Sequence, residues 1–384
     1  MALRIALSGF VVLVVAMGIG RFAFTPQVPL MIAAGQLTLT SAGLVAAMNY
    51  LGYLVGAWDA MRAHRFVETR LWLGITGAVA LTLLSAAADN AVVHGLLRFV
   101  IGCMSGWSMV LIAAWTNERL GQLGKPGLSA AVFAGPGAGI ALSGLLAVYI
   151  QAKSLSAGAA WQIYGVLALA LVLIVLVARY LPRSGQLHRP GTAPEPLLLT
   201  ADLKRLVWSY SLAGFGYILP ATFLSQMAAV RFPGSLFAQF VWPIFGAASV
   251  VGIALSIALR HTSSANRRLA IVLWLQGIGV LAAWLLPGIG GLLTGGLLVG
   301  GGFLCAVQLS LLYGRELAPD HTRYMAGLLT TGYAIGQLVG PVTSALSTWL
   351  THRLEPALGL AGIALFVGGA LVWNRQAERQ QQLQ

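Results

Sequence analysis

Two arginines sit where an apolar chain has least use for a charge. Arg21 lies about 24 Å along an apolar run that begins near position 5, and Arg98 about 10 Å along another that begins near position 91, at the helical rise of 1.5 Å per residue. At such depth in a hydrocarbon layer a guanidinium costs on the order of 2.5–3.5 kcal/mol unless it faces water, a counter-ion or a ligand. The chain offers no carboxylate at that depth. Asp59, Glu68, Asp89, Glu118, Glu195, Asp202, Glu316, Asp320, Glu355 and Glu378 all fall in loops or at the ends of apolar runs. The chemistry is therefore recognition: parallel N–H donors suited to gripping a carboxylate or phosphate. An electropositive cavity around Arg21 is expected to take a small organic anion. Arginine keeps its proton at biological pH, so a proton-coupled cycle needs Asp59, Glu118, His94 or a protonated substrate as carrier.

Around these charges the sequence places aromatic and amide side chains within apolar runs. Phe24, Tyr50, Trp107, Tyr217, Trp242 and Tyr333 are expected to line the substrate path, although aromatics in such segments serve as often for packing or interface anchoring. Asn49 and Gln337 are expected beside them, whereas Gln226 and Gln308 suit hydrogen bonds between helices. The aromatics also fit amphipathic drug-like solutes.

What must position these groups is a set of helices. Twelve apolar stretches, at 5–33, 39–61, 71–88, 91–116, 128–151, 161–181, 205–229, 236–259, 269–287, 289–314, 324–350 and 356–373, are each long enough for a hydrocarbon core of about 30 Å. With 58% hydrophobic and only 9% charged residues over 384 positions, a water-soluble domain is excluded. The prediction is an all-α membrane protein with 12 transmembrane helices. Twelve crossings put both termini on one face. Eighteen of the 23 Lys and Arg residues fall on that face, against Lys153, Arg231 and Arg353 on the other, so the termini are expected to be cytoplasmic by the positive-inside rule. The first run is too long for a signal peptide and continues through Arg21 and two prolines, so it counts as helix one.

The same charges exclude other classes. A net charge of +13 spread over short loops, with no basic stripe interleaved with aromatics, does not suit a nucleic-acid surface. His64, His94, His188, His261, His321 and His352 pair with no cysteine or acid at ligand spacing, so neither a metal nor a cofactor is expected, and no enzyme chemistry follows. No glycine-rich phosphate loop follows a strand, which argues against an ATP-driven pump. Cys103 and Cys305 lie inside apolar runs and read as small packing residues.

The longest polar interval, 182–204, carries four prolines and reads as a cytoplasmic linker between six-helix halves at 1–181 and 205–384. The halves echo one another. Gly18-Ile19-Gly20-Arg21 before Pro26 matches Gly214-Phe215-Gly216-Tyr217 before Pro220; Asn117-Glu118-Arg119 matches Gly314-Arg315-Glu316; Gly135-Pro136 matches Gly340-Pro341. Offsets of 196, 198 and 205 in the same order indicate duplication, and halves related by an axis along the membrane normal are expected of transporters with a midplane site.

The segments from Gly18 to Pro26 and from Asn49 to Ala57 resemble the bacterial YbfB/YjiJ subgroup of the major facilitator superfamily, and the similarity spans essentially the whole chain. The resemblance implies two pseudo-symmetric six-helix bundles and secondary active transport by alternating access in a bacterial inner membrane. The run Ala131 to Gly139 resembles the superfamily's fifth-helix signature, associated with proton-driven exporters, with Ala131 at its opening position and Ile140 in place of a final glycine. Proline bends such a helix and glycines let a neighbour lie against the bend, so Gly135, Pro136 and Gly139, echoed by Gly340 and Pro341, are expected to gate. Arg98 to Gly102 resembles the fourth-helix signature whose arginine is tied to proton coupling, which sets Arg98 beside Asp59 and His94 as coupling groups. Asp59 stands near the superfamily's Gly/Asp/Arg loop motif but three rather than four residues after Gly56. Together with Asp59, the residues Arg62, Glu118, Arg119, Arg315 and Glu316 are expected to form a cytoplasmic charge latch. The expected partners are a small anionic solute, protons and membrane lipid, acting on a monomer; the alternative is a drug/proton antiporter exporting amphipathic compounds.

Overall fold

A computed structural model describes residues 1–63, 65–178, 181–182 and 197–373 of the chain. Among these residues eleven helices are long and apolar enough to cross a membrane: α1 Ala2–Ala33, α2 Leu39–Arg62, α3 Val67–Ala87, α4 Ala91–Gln122, α5 Gly127–Ala152, α6 Ala157–Val177, α7 Ala201–Arg231, α8 Val241–Ala258, α9 Ala265–Leu285 and α10 Ile289–Leu317, followed after one further helix by Glu355–Val372. That further helix, α11 at Thr322–Thr351, has 30 residues; Glu355–Val372 is α12. The expected count of twelve crossings thus stands at eleven by length and hydropathy. Thr330, Thr331, Gln337, Thr343, Ser344, Ser347 and Thr348 make α11 more polar than the rest. The expected linker falls mostly on 183–196, outside the described residues, as does His64.

The first helix is not regular. Its α-helical start, Ala2–Leu13, gives way to a π-helical stretch, Val14–Ile19, before α-helix resumes at Phe24–Ala33. Gly20 N–H reaches back to Val15 O at 2.8 Å, whereas Arg21 N–H and Phe22 N–H both reach Met17 O, so the ladder passes over Ala16 O. Pro26 and Pro29 lack donors for the turn that follows. Helix α4 supplies what the ladder omits: Ser105 Oγ donates to Ala16 O at 2.7 Å and Arg98 Nη1 to Gly20 O at 2.9 Å. A π segment of this kind often marks a functional position.

Glycine sets how closely the helices pack. A Cβ at Gly52 would meet Phe99 O, one at Gly56 the backbone of Cys103, and one at Gly102 Asn49 O and Tyr53 N, so α2 and α4 touch main chain to main chain. Other close pairs are α3 with α4, α9 with α10 and α12, α8 with α10, and α7 with α11 and α12. Helices far apart in sequence also meet: α2 packs on α11, α5 on α8, and the Phe24–Ala33 segment of α1 on α7. At α5 and α8, Gly137 faces Ser249 and Gly246, and Gly144 faces Pro243.

Candidate functional site

Arg21 follows directly on the π turn and is only 3% exposed. Its guanidinium carbon sits 4.1 Å from the Tyr53 ring centroid, 4.7 Å from that of Tyr50 and 5.0 Å from that of Phe22. Nη2 donates to Gln337 Oε1 on α11 at 2.6 Å. The Gln337 amide in turn donates to the Tyr217 hydroxyl on α7. Among the described residues Arg21 forms no ion pair, and its buried Nε has no hydrogen-bond partner. A desolvated cation over an aromatic face gains about 2 kcal/mol. The three rings and one amide oxygen thus offset part of the burial cost that a carboxylate would ordinarily meet.

The rings continue as a column. Tyr217 stacks on Phe303 at 4.5 Å and on Tyr333 at 5.4 Å, Tyr333 stacks on Tyr210 at 4.3 Å, and Phe22 meets Phe303 edge-on at 5.5 Å. Trp242 leans on Phe22 and stacks on Phe245. Two further hydrogen bonds tie α1 and α2 to α7 at this level. Thr25 Oγ1 donates to Ala221 O at 2.5 Å. The Tyr50 hydroxyl pairs with Thr222 Oγ1 at 3.1 Å, and because Thr222 donates to Ile218 O, Tyr50 is the donor.

Arg98 belongs to a neighbouring but separate arrangement. Only 1% exposed, it spends Nη1 on Gly20 O and lies 4.8 Å from the Trp161 ring and 5.9 Å from that of Phe24. Its Nε and Nη2 have no partner among the described residues. Asn49 donates to Arg98 O at 2.9 Å and so ties α2 to α4. His94, one turn before Arg98, meets Gln36 at 3.3 Å, at the connection between α1 and α2. Asp59 takes Arg70 Nε at 2.6 Å and Trp107 Nε1 at 2.8 Å, fastening the end of α2 and the start of α3 to the middle of α4. Trp107 and Asn49 are therefore engaged away from Arg21.

Two cavities flank this centre. The larger, about 820 Å³, opens among the ends of α4, α5, α8, α9, α10 and α11, with Arg260, Arg268, Arg315, Asn117, Gln308, Glu118 and Asp320 in its wall. Within it Arg315 Nη1 donates to Asn117 Oδ1 at 2.8 Å, and Ser129 donates to the same oxygen at 2.9 Å. Ser256 donates to Gln308 at 2.7 Å. The smaller, about 310 Å³, lies at the other end of the bundle and is walled by Pro26, Gln27, Gln151, Ser225, Gln239 and Trp242, with no charged side chain. Arg21 and Gln337 line neither cavity. Thr330, in the wall of the larger one, is about 10 Å below Gln337 along α11.

Of the expected latch, Arg315 crosses from α10 to α4, but its partner is Asn117 rather than Glu118. Glu118 and Arg119 are joined through Gln122 within α4, and Arg62 lies over Trp58 at 4.7 Å. Of the expected gate, Gly139 meets Gly18 backbone to backbone, Gly135 lies on Phe10 O, Pro136 follows a tight turn at Phe133 and Ala134, and Gly340 rests on Ile218. Pro341 sits inside an unbroken α11, with its carbonyl taken by Ser344. Sequence reasoning passed over Tyr53, Phe22, Phe303, Tyr210, Thr222 and Asn117. Only Tyr53 carried a signal, four residues from Asn49 and one turn from Tyr50.

No group of His, Cys, Asp or Glu among the described residues has the geometry to hold a metal ion. The family model described as "Uncharacterised MFS-type transporter YbfB" matches residues 13–373. No curated protein matches the chain. Among solved structures, a crystal structure of a point variant of the nucleoside transporter NupG superposes with a TM-score of 0.70 at 15% identity, covering 97% of this chain and 98% of that one. A multi-pass helical bundle, a likeness in fold to a transporter and a family match across nearly its whole length place the chain in the YbfB family of MFS-type transporters.

Proposed function

We propose that this transporter moves a small organic anion by alternating access, with Arg21 as the group that meets the anionic head. The observation that carries the reading is a guanidinium 3% exposed whose only polar partner among the described residues is a neutral amide. An anionic solute is the natural occupant of such a site. The α2/α11, α5/α8 and α1/α7 contacts fit the seams between two six-helix halves, with α11 as the twelfth crossing. By the positive-inside rule the cavity walled by Arg260, Arg268 and Arg315 faces the cytoplasm, so the conformation has an inward vestibule that stops short of Arg21 and is closed over Arg21 on the outer side. Three arginines against Glu118 and Asp320 leave this wall net positive, which favours anions on their way to the centre. Coupling to protons through His94, Asp59 or the solute itself, and residence in a bacterial inner membrane, complete the proposal.

A second reading has one observation in its favour. The stack of Tyr217 on Phe303 and Tyr333, joined to an amide, would suit a flat neutral ring such as a nucleobase, and the structural neighbour is a nucleoside transporter. Thermal melting of the purified protein with benzoate, succinate or uridine separates the two. A ligand at a hundred times its Kd stabilises by about 2.7 kcal/mol. We expect a carboxylate to raise the melting temperature of the wild type but not of Arg21→Gln. Stabilisation by neither acid, or equal stabilisation of Arg21→Gln, defeats the anion reading; stabilisation by uridine in both proteins favours the nucleobase.

A further inference from the structure

One nitrogen of Arg21 already has an oxygen partner within the protein. Gln337 Oε1 lies 2.6 Å from Nη2, the distance of a charge-assisted hydrogen bond, and the oxygen belongs to a planar amide that copies half of a carboxylate in shape. Gln337 is itself wholly buried and is held by the Tyr217 hydroxyl. The contact joins α1 to α11, residues 316 apart in sequence, at the level where Thr25 and Tyr50 join α1 and α2 to α7. It is therefore part of the closure and not an ornament of one helix. Were Arg21 without this oxygen, closing the outer side around it would strand a buried cation, and an empty carrier would be held open until solute arrived.

Resting on the assignment of Arg21 as the anion site, we infer that Gln337 is an internal counter-ligand: in the empty carrier its amide oxygen takes the place on Arg21 that the solute's anionic head takes in the loaded one. The empty carrier then closes and returns without cargo. A protein so equipped catalyses net flux, whereas one that closes only when loaded is confined to exchange of solute for solute. Gln337 leaves when an anion binds, because a charged oxygen pairs with guanidinium more strongly than a neutral one.

The test needs no knowledge of the natural solute. In a background of Cys103→Ala and Cys305→Ala, a Ser225→Cys reporter in the wall of the smaller cavity reads opening of that side through its alkylation rate. Adding Gln337→Ala is expected to raise the rate on the order of tenfold or more in the absence of any anion, and acetate is expected to restore protection. Gln337→Glu, which supplies a permanent carboxylate, is expected to show protection at least equal to wild type and no response to acetate, and it doubles as the control for folding. An unchanged rate in Gln337→Ala overturns the counter-ligand, as does a raised rate that acetate leaves alone. If acetate protection persists when Arg21→Gln is added to Gln337→Ala, it is the assignment of Arg21 that falls.

Discussion

The α5/α8 seam offers a perturbation whose size can be worked from main-chain geometry. A Cβ placed at Gly246 would meet Ala141 N and Gly137 O, both main-chain atoms that no rotamer can move aside. Gly246→Ala therefore forces the two helices apart wherever the seam is shut. Overpacking of this kind costs about 1–3 kcal/mol. The strain exists only in the conformation that holds α5 and α8 together, so it enters the equilibrium between states undiminished and shifts their ratio by about 5- to 150-fold. Gly102→Ala is the matched control. Its Cβ would meet Asn49 O and Tyr53 N, equally rigid, but on α2, which stays with α4 in either state, so it lowers stability without choosing between conformations. The assay alkylates single cysteines from either side: Ala114→Cys in the wall of the larger cavity and Ser225→Cys in the smaller. Gly246→Ala is expected to raise the ratio of Ser225→Cys to Ala114→Cys rates within that range. If Gly102→Ala moves the ratio as far, or Gly246→Ala does not move it, the seam is ordinary packing and the rocking axis lies elsewhere.

Other expectations are briefer. Arg98→Met removes the donor to Gly20 O while keeping length and apolar contact with Trp161, and the stranded carbonyl is expected to cost about 1.5–3 kcal/mol; a melting temperature in detergent that holds or rises would show that burying the charge had cost more than the bond returned. A double-mutant cycle of Asp59→Asn and Arg70→Gln should give a coupling of about 1 kcal/mol, as for a half-exposed pair, and a coupling of zero would mean that Trp107 alone holds Asp59. Lastly, Tyr53→Leu should weaken the protection of Ser225→Cys about tenfold or less, since one ring of three is lost; no change would demote the cage to packing.

Much of the centre was legible because charge in lipid is conspicuous. Arg21 stood out by its depth and by the missing carboxylate, and Gln337 by its place beside Gly340 and Pro341. The partners were harder to see. Arg21 and Gln337 are brought together by the meeting of α1 and α11, and nothing in local periodicity says which faces of two distant helices will touch. Phe303 and Tyr210 were lost among many aromatics for that reason. Asn49 and Trp107 looked like cavity residues because they are polar-tipped at depth, yet each is consumed by a neighbouring helix, Asn49 by a carbonyl and Trp107 by Asp59. The contacts of the latch residues were hard to read for a related reason. Opposite charges invite pairing on paper, but Arg315 found the amide of Asn117, whose oxygen lies within reach when Glu118 points along its own helix toward Gln122.

The irregular turn at Val14–Ile19 has a bearing on how this protein tolerates change in length. Each residue of an α-helix advances the chain about 100° around the axis. Deleting one residue between Val14 and Ile19 would let the ladder close in ordinary register with Arg21 still turned toward Tyr53 and Gln337, because the wide turn spreads one extra residue over nearly the same sweep, but it would withdraw the spare Ala16 carbonyl that Ser105 holds. Such a shortened protein should keep its helix but lose one fastening of α1 to α4, which makes that cross-link, rather than the soundness of the helix, the thing that this stretch preserves.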